Sequence, residues 1–232
     1  MSDGENPICF VISAPSGAGK TTLADALLQR VDGLVRTISC TTRAPRPDER
    51  EGRDYFFVSH SEFEARRHQG GFLEWAEVHG NRYGTLVSEV DRIHGSGSDA
   101  LLVIDVQGAE SVRRRVGTAV TVFVLPPSRH ELEERLVGRD GLTDENRDII
   151  QRRLGIAAHE IAHYVGYDYV VVNDDLETTA AELESIVRAE RCRTLRRTRL
   201  ARAIGRSFEE EAPPEPQRSS NDIDWTRKRG VS

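Results

Sequence analysis

ICFVISAPSGAGKTTLADALLQRV, residues 8–31, reads as a strand, a turn and a helix in that order. ICFVIS is a short apolar run rich in β-branched residues, the pattern of a buried strand, and LADALLQRV repeats its apolar positions at helical spacing. Between them APSGAGKT, residues 14–21, fits the glycine-rich phosphate-binding loop, with Ala14 standing where the pattern has its first glycine. The chemistry of such a loop fixes its residue types. Backbone N–H groups converge on phosphate oxygens, the helix N-terminus adds a favourable dipole, Lys20 reaches the outer phosphates and Thr21 can hold magnesium. Ala14, Pro15, Ser16, Gly17, Ala18, Gly19, Lys20, Thr21 and Thr22 are therefore the candidate phosphate-binding residues. An accidental glycine-rich turn is the alternative, and Lys20 and Thr21 standing in register between a strand and a helix weigh against it.

Further along the chain, buried-strand runs recur at 101–105 (LLVID), 120–125 (VTVFVL) and 168–173 (DYVVVN), with helical stretches at about 108–116, 128–138 and 146–163. Strands alternating with helices predict an α/β fold with a parallel sheet covered on both faces. The interval 37–90 breaks this rhythm. It is dense in arginine, glycine and aromatic residues, has HSEFEARR as its clearest helix, and reads as a small insertion that covers substrate. One long helix is expected over 176–205, with an arginine-rich second half. Beyond Phe208 the chain is polar and proline-rich, and disorder is expected over 207–232.

A length of 232 residues suits one domain with a tail. No apolar run approaches the roughly 20 residues of a membrane span, and MSDGENP lacks the pattern of a secretory signal, so a cytoplasmic protein is expected. The net charge of −6 argues against a general nucleic-acid coat. A nucleic-acid patch on the eight arginines between 188 and 206 is weighed against a solvated helix end, which the acidic total favours. Cys9, Cys40 and Cys192 are scattered and read as small apolar residues rather than as a disulfide or zinc framework. Of 32 basic residues only Lys20 and Lys228 are lysines. In so arginine-rich a chain Lys20 asks for a reason, and the loop supplies one, since a compact ammonium fits a ring of backbone amides where a rigid guanidinium fork does not.

Five motifs then occur in the order seen in guanylate kinases: APSGAGKT, SCTTRAPRPDEREGRDYFF (39–57), FLEWAEVHGNRYGT (72–85), VIDVQGAESV (103–112) and DYVVVNDD (168–175). The chain resembles the bacterial members of that family over about residues 7–190. The resemblance implies a P-loop nucleoside monophosphate kinase fold: a parallel five-stranded core sheet with helices on both faces, a GMP-binding insertion at about 37–90 and a lid at about 138–155. It implies ATP-dependent phosphorylation of GMP, and of dGMP, assisted by Mg²⁺, with ATP and GMP as partners, neither nucleic acid nor membrane, and self-association left open.

Carried over by position, Arg43, Arg46, Tyr55 and Tyr83 resemble the holders of the GMP phosphate, and forks followed by hydroxyl donors suit a phosphate dianion. RAPRP alone would read as a solvated basic loop. Glu74, Ser39, Thr85 and Asp105 match the guanine-reading positions. A carboxylate can accept from the adjacent N1–H and 2-amino group of guanine, and adenine would leave it poorly paired. By itself, Glu74 beside Trp75 reads as a surface residue flanking a core aromatic. Asp105 could also organise magnesium through water. The family often carries another acid two residues earlier, where this chain has Val103. Arg135, Arg139 and Arg153 match the lid arginines that close on the triphosphate, although Arg135 and Arg139, one turn apart, could simply pair with Glu131. The segment GRDGLTDENRDII is a variant with an extra residue. Asn173 matches a residue near the adenine.

HEIAH, residues 159–163, also matches the zinc-peptidase pattern HExxH. The strand run directly after it stands where such a peptidase would place further ligands. A guanylate-kinase-like interaction module without catalysis, and a kinase of the same fold for another phosphorylated acceptor, are the nearer rivals. The intact loop argues against the first, and Glu74 with the Ser39 and Thr85 hydroxyls against the second.

Overall fold

The computed structural model describes residues 7–78, 80–141 and 143–210. In chain order the elements are β1 (Cys9–Ser13), α1 (Lys20–Arg30), β2 (Leu34–Arg36), β3 (Ser39–Thr41), β4 (Tyr55–Phe57) and α2 (His60–His68). There follow β5 (Phe72–Val78), β6 (Asn81–Leu86), α3 (Val87–Gly95), β7 (Asp99–Ile104), α4 (Val106–Arg115) and β8 (Val120–Leu125). The chain continues as α5 (Arg129–Asp140), α6 (Asp144–Ile161), a 3₁₀ turn (Ala162–Gly166), β9 (Tyr169–Val172), α7 (Leu176–Arg191) and α8 (Thr194–Glu210).

Five parallel strands form the core sheet in the order β2-β7-β1-β8-β9. Alternation along β1 serves both faces, because successive side chains of a strand point oppositely. Phe10 and Ile12 pack with Leu23 and Leu27 of α1 and Leu183 and Val187 of α7. Cys9 and Val11 pack on the other side with Ile93 of α3 and Val112 of α4. Since β1 leads to β2 on one side while β7 crosses to β8 on the other, the C-terminal ends of these strands open a crevice at the switch point, the usual ligand position in such sheets.

A second sheet, of four strands in the order β4-β3-β6-β5, stands apart from the first. One face is closed by α2, whose Phe63 stacks on Phe72 at 4.3 Å between ring centroids and joins Cys40 in an apolar cluster. Two sequence expectations shift here. The sheet ends at Leu86, and residues 87–90 begin α3, whose Val90 and Ile93 belong to the core cluster under β7. The hairpin of α5 and α6 is longer than the expected 138–155, with its own apolar cluster from Leu132 to Ala157.

The single helix expected over 176–205 is two helices, broken at Cys192 and Arg193. The break lets basic residues dock on the body. Arg191 pairs with Asp99 at 2.8 Å, and the buried Arg196 donates to the carbonyl of Thr118 at 3.1 Å. The near end of the arginine-rich segment is thus packed rather than solvated. Helix α8 runs through Glu210, so residues 207–210 of the expected disordered tail are helical, and 211–232 lie outside the described residues. Cys9 and Cys40 are buried, as small apolar residues should be, whereas Cys192 is exposed. No helix among the described residues is long and apolar enough to cross a membrane.

Candidate active site

The glycine-rich loop joins β1 to α1 at the crevice. Gly19 caps α1 in the left-handed region, φ 88°, which favours glycine. A Cβ there would also lie 2.4 Å from the side-chain nitrogen of Asn173. That nitrogen donates to the carbonyl of Ala18 at 2.8 Å, and Arg135 of α5 donates to the carbonyl of Asn173 at 2.9 Å. The loop is therefore braced from the end of β9, and Asn173 is buried. Its amide holds the loop, a role the sequence comparison with an adenine contact did not foresee.

Lys20 donates to the carbonyl of Ala14 at 3.3 Å, which points its ammonium back across the loop. Burial pushes its pKa down, and Asp105 and Glu160 act against that. Asp105 arrives by register. Ser13 pairs with Ile104, so the residue after β7 lies beside the residue after β1. Asp105 caps α4, its Oδ1 accepting from the Gly108 amide at 2.7 Å.

Two cavities meet at this point. The larger, about 760 Å³, is lined by Ala14, Pro15, Ser16, Gly17, Gly19, Lys20, Thr21 and Thr22, together with Arg46, Arg135, Arg153 and Glu160. The smaller, about 260 Å³, is lined by Ser39, Tyr55, Glu74 and Tyr83. Lys20, Thr21, Val78 and Asp105 border both. A polyphosphate on the loop and a smaller acceptor in the second cavity would have their phosphates converge at Lys20.

Part of the polar wall of the smaller cavity comes from a row across the second sheet. Tyr55, Ser39, Thr85 and Glu74 are consecutive cross-strand partners on β4, β3, β6 and β5. Tyr83 stands two residues before Thr85, on the same face, with its ring 6.1 Å from Tyr55. A register shift in β5 between Phe72 and Glu74 lets three consecutive residues be buried in three places. Phe72 packs under α2, Leu73 packs against the core sheet, and Glu74 turns to the cavity. Re-aiming a side chain is what such bulges do beside functional sites.

Glu74 is 4% exposed and Trp75 38%, the reverse of a surface acid flanking a core aromatic. Glu74 Oε1 accepts from the Thr85 amide at 2.8 Å and the Thr85 hydroxyl at 2.7 Å. Burial pushes its carboxyl up to about 7, the Thr85 bonds oppose this and the Asp105 charge adds to it. The Thr85 hydroxyl is therefore engaged by Glu74, and Ser39 is the hydroxyl lining the cavity. Glu74 also lies over α4. A Cβ on Gly108 would stand 2.6 Å from its Oε2, so only glycine permits this approach.

Arg43 is held in a fork by Glu49, at 2.7 and 2.9 Å, with its guanidinium 5.5 Å from the Tyr55 ring centre. Arg46 lines the larger cavity rather than the smaller one. Arg139 lies in the last turn of α5, and its side chain is outside the described residues.

The histidines and the glutamate of HEIAH have different surroundings. His159 and His163 are exposed and face each other, 5.9 Å between ring centroids, while Glu160 lines the P-loop cavity. No group of three or more His, Cys, Asp or Glu able to hold a metal ion occurs among the described residues. Glu160 is one of the cavity-lining residues that motif reading missed, with Arg36, Asp54 and Gln107 among the others. The signal for Glu160 was helical spacing, two turns beyond Arg153 on the same face.

The family described as guanylate kinase matches residues 6–190. The chain belongs to the guanylate kinase family. Curated relatives include guanylate kinases from Nitrosomonas europaea, 48% identical with 86% of this chain and 98% of the relative covered, and from Myxococcus xanthus, 51% identical with 80% and 88% covered. Among solved structures, a guanylate kinase from Anaplasma phagocytophilum superposes with a TM-score of 0.71 at 35% identity, covering 91% of this chain and 98% of that one. The loop described above sits on a parallel core sheet of the P-loop kinase type, and the row lies across the second sheet.

Proposed function

We propose that this enzyme transfers the γ-phosphoryl group of ATP to GMP, and to dGMP, yielding GDP or dGDP and ADP. The observation that carries the reading is the meeting of the two cavities at Lys20, one walled by a phosphate loop and the other by a row ending in a buried carboxylate. A phosphate oxygen of GMP attacks the γ-phosphorus, and the bond to the bridging oxygen of ADP breaks. A phosphate monoester is largely dianionic at pH 7, so no general base is needed and the task is positioning and charge stabilisation.

Ser16–Thr22 cradle the donor phosphates. Lys20 spans the point where donor and acceptor meet, and Arg135 and Arg153 bring further positive charge from the α5–α6 hairpin, with Arg139 proposed beside them. Arg43, Arg46, Tyr55 and Tyr83 hold the acceptor phosphate. For Arg43 this requires exchanging Glu49 for the phosphate, a like-for-like exchange of anions. Glu74 reads N1–H and the 2-amino group, Ser39 supplies the neighbouring hydroxyl, and Thr85 orients Glu74.

The donors near Lys20 fit Mg²⁺. Thr21 and Asp105 offer hard oxygens, too few for an all-protein cage, as suits an ion that keeps waters and takes phosphate oxygens. When bound, that ion neutralises charge on the transferring group. A cytoplasmic location fits these substrates. The test is a coupled assay of ADP release with ATP, Mg²⁺ and each nucleoside monophosphate in turn. GMP and dGMP should be used far faster than AMP, UMP or CMP, and a preference for any of these three would reject the acceptor assignment.

A further inference from the structure

Arg153, Ile156 and Glu160 all line the donor cavity from α6. Arg153 and Glu160 are seven residues apart, two helical turns, so one face of one helix presents a cation and an anion to the same phosphate loop. The surroundings of the anion are unusual. Oε2 of Glu160 is buried without a hydrogen-bond partner. Burial, helped by the Asp105 charge, pushes its carboxyl above the usual carboxylate range, while the Lys20 ammonium, the Ser16 backbone amide and His163 act against that.

Two of these, Lys20 and the Ser16 amide, belong to the phosphate loop itself. A carboxylate fixed for a structural purpose has its oxygens satisfied, and one that is left bare in the interior calls for an explanation. The neighbouring strand adds a second observation. Val103 lines the acceptor cavity where an acid would share the face of Asp105, so β7 and the turn after it bring one carboxylate to Lys20, and α6 brings the other.

We propose that Glu160 is a stand-in anion: in the nucleotide-free enzyme its carboxylate occupies the cradle, and the donor polyphosphate displaces it. The proposal rests on the donor-site reading given above. Its physical content is an exchange. The loop concentrates N–H dipoles and an ammonium for which Asp105 supplies one counter-charge and Glu160 a second. Incoming phosphates repel Glu160 and attract Arg153. Both residues ride on α6, and α6 shares an apolar cluster with α5, from Leu132 to Ala157. Loss of the acid contact and gain of the arginine contact therefore act on one helical hairpin, which makes donor binding the event that repositions it.

The experiment is calorimetric titration of ATP, and separately of inorganic tripolyphosphate, into wild type, Glu160→Gln, Glu160→Ala and Lys20→Ala, without GMP. Removing an internal competitor that fills the site most of the time should tighten binding of both ligands roughly three- to tenfold in each Glu160 variant. Unchanged or weaker affinity in Glu160→Gln, folded with the wild-type melting temperature, would overturn the proposal and assign Glu160 to supporting the loop. The donor-site reading fails differently. Wild type that does not bind ATP, or Lys20→Ala that binds it as well as wild type does, would remove the site itself and the stand-in with it.

Discussion

Replacing Lys20 by arginine keeps the charge and changes only shape, so it isolates what the loop demands of that side chain. The ammonium reaches back to the Ala14 carbonyl within the loop, a space that a planar fork with five donors cannot share. Lys20→Arg should lower kcat by about 10²–10³-fold, the scale of losing one preorganised donor at a transition state, with the folded structure intact by circular dichroism. Near-normal turnover would refute the argument from shape.

Glu74 allows an equally direct test through pH. Its folded carboxyl is pushed up to about 7 from an ordinary 4.5, chiefly by burial. The unfolded chain gives up this proton near the lower value and the folded chain near the higher one. Between them the folded state holds more protons, so this group's contribution to stability falls as pH rises through that window and stays low above it. Glu74→Gln keeps an acceptor for Thr85 and removes the penalty. It should melt no lower than wild type, and above pH 7 it should be more stable, by on the order of 1–3 kcal/mol. GMP needs the carboxylate ionised, so KM for GMP in wild type should rise toward about tenfold per unit as pH falls below 7. The phosphate of GMP titrates near 6 on its own account, and subtracting the Glu74→Gln profile, itself with a much raised KM, isolates the side chain. A pH-independent difference between the two would sink the assignment.

At the level of elements, the acceptor wall depends on two local features that a strand or helix pattern does not advertise. One is the bulge in β5, which turns Glu74 toward the cavity while Phe72 and Leu73 serve two different apolar clusters. The other is the lack of a side chain at Gly108, on which Glu74 rests. Gly108→Ala should strengthen α4 by up to about 1 kcal/mol in propensity yet force Glu74 aside. The expected outcome is a KM for GMP raised on the order of tenfold, with ATP affinity within about twofold of wild type. An unchanged KM for GMP would show that Glu74 has room to yield. The elements differ in how far the sequence announced them. The β1 strand before the loop and the α2 helix fall where periodicity put them. The break after α7 does not, because Arg191 and Arg196 find Asp99 and the Thr118 carbonyl far away in sequence, and such pairings leave no local pattern.

On the scale of the whole molecule, the two cavities share Lys20, Thr21, Val78 and Asp105. A single molecule carrying adenosine and guanosine on one polyphosphate bridge of suitable length should therefore occupy both. Its affinity should exceed that of ATP or GMP alone by about 10²–10⁴-fold, since the second contact becomes intramolecular. Calorimetry on the full chain measures this, and an affinity no better than that of ATP would mean that the cavities do not open toward each other when filled. The geometry behind the prediction joins the two sheets. The core sheet contributes the loop and Asp105, the second sheet contributes the acceptor wall, and neither alone has both halves of the reaction.

By itself the sequence determined the phosphate loop and its lysine, because strand, turn and helix there are contiguous and each step of the chemistry demands one residue type. Motif order carried the family. It did not reveal the brace from Arg135 through Asn173 to the loop, the row that sets Tyr55, Ser39, Thr85 and Glu74 side by side, or the place of Glu160, out of an apparent metal motif, in the lining of the P-loop cavity. Those are matters of register, bulge and packing between segments more than a hundred residues apart in places. They were settled only when the sheets formed, because a side chain's pKa, partners and reach depend on neighbours that the linear order does not name.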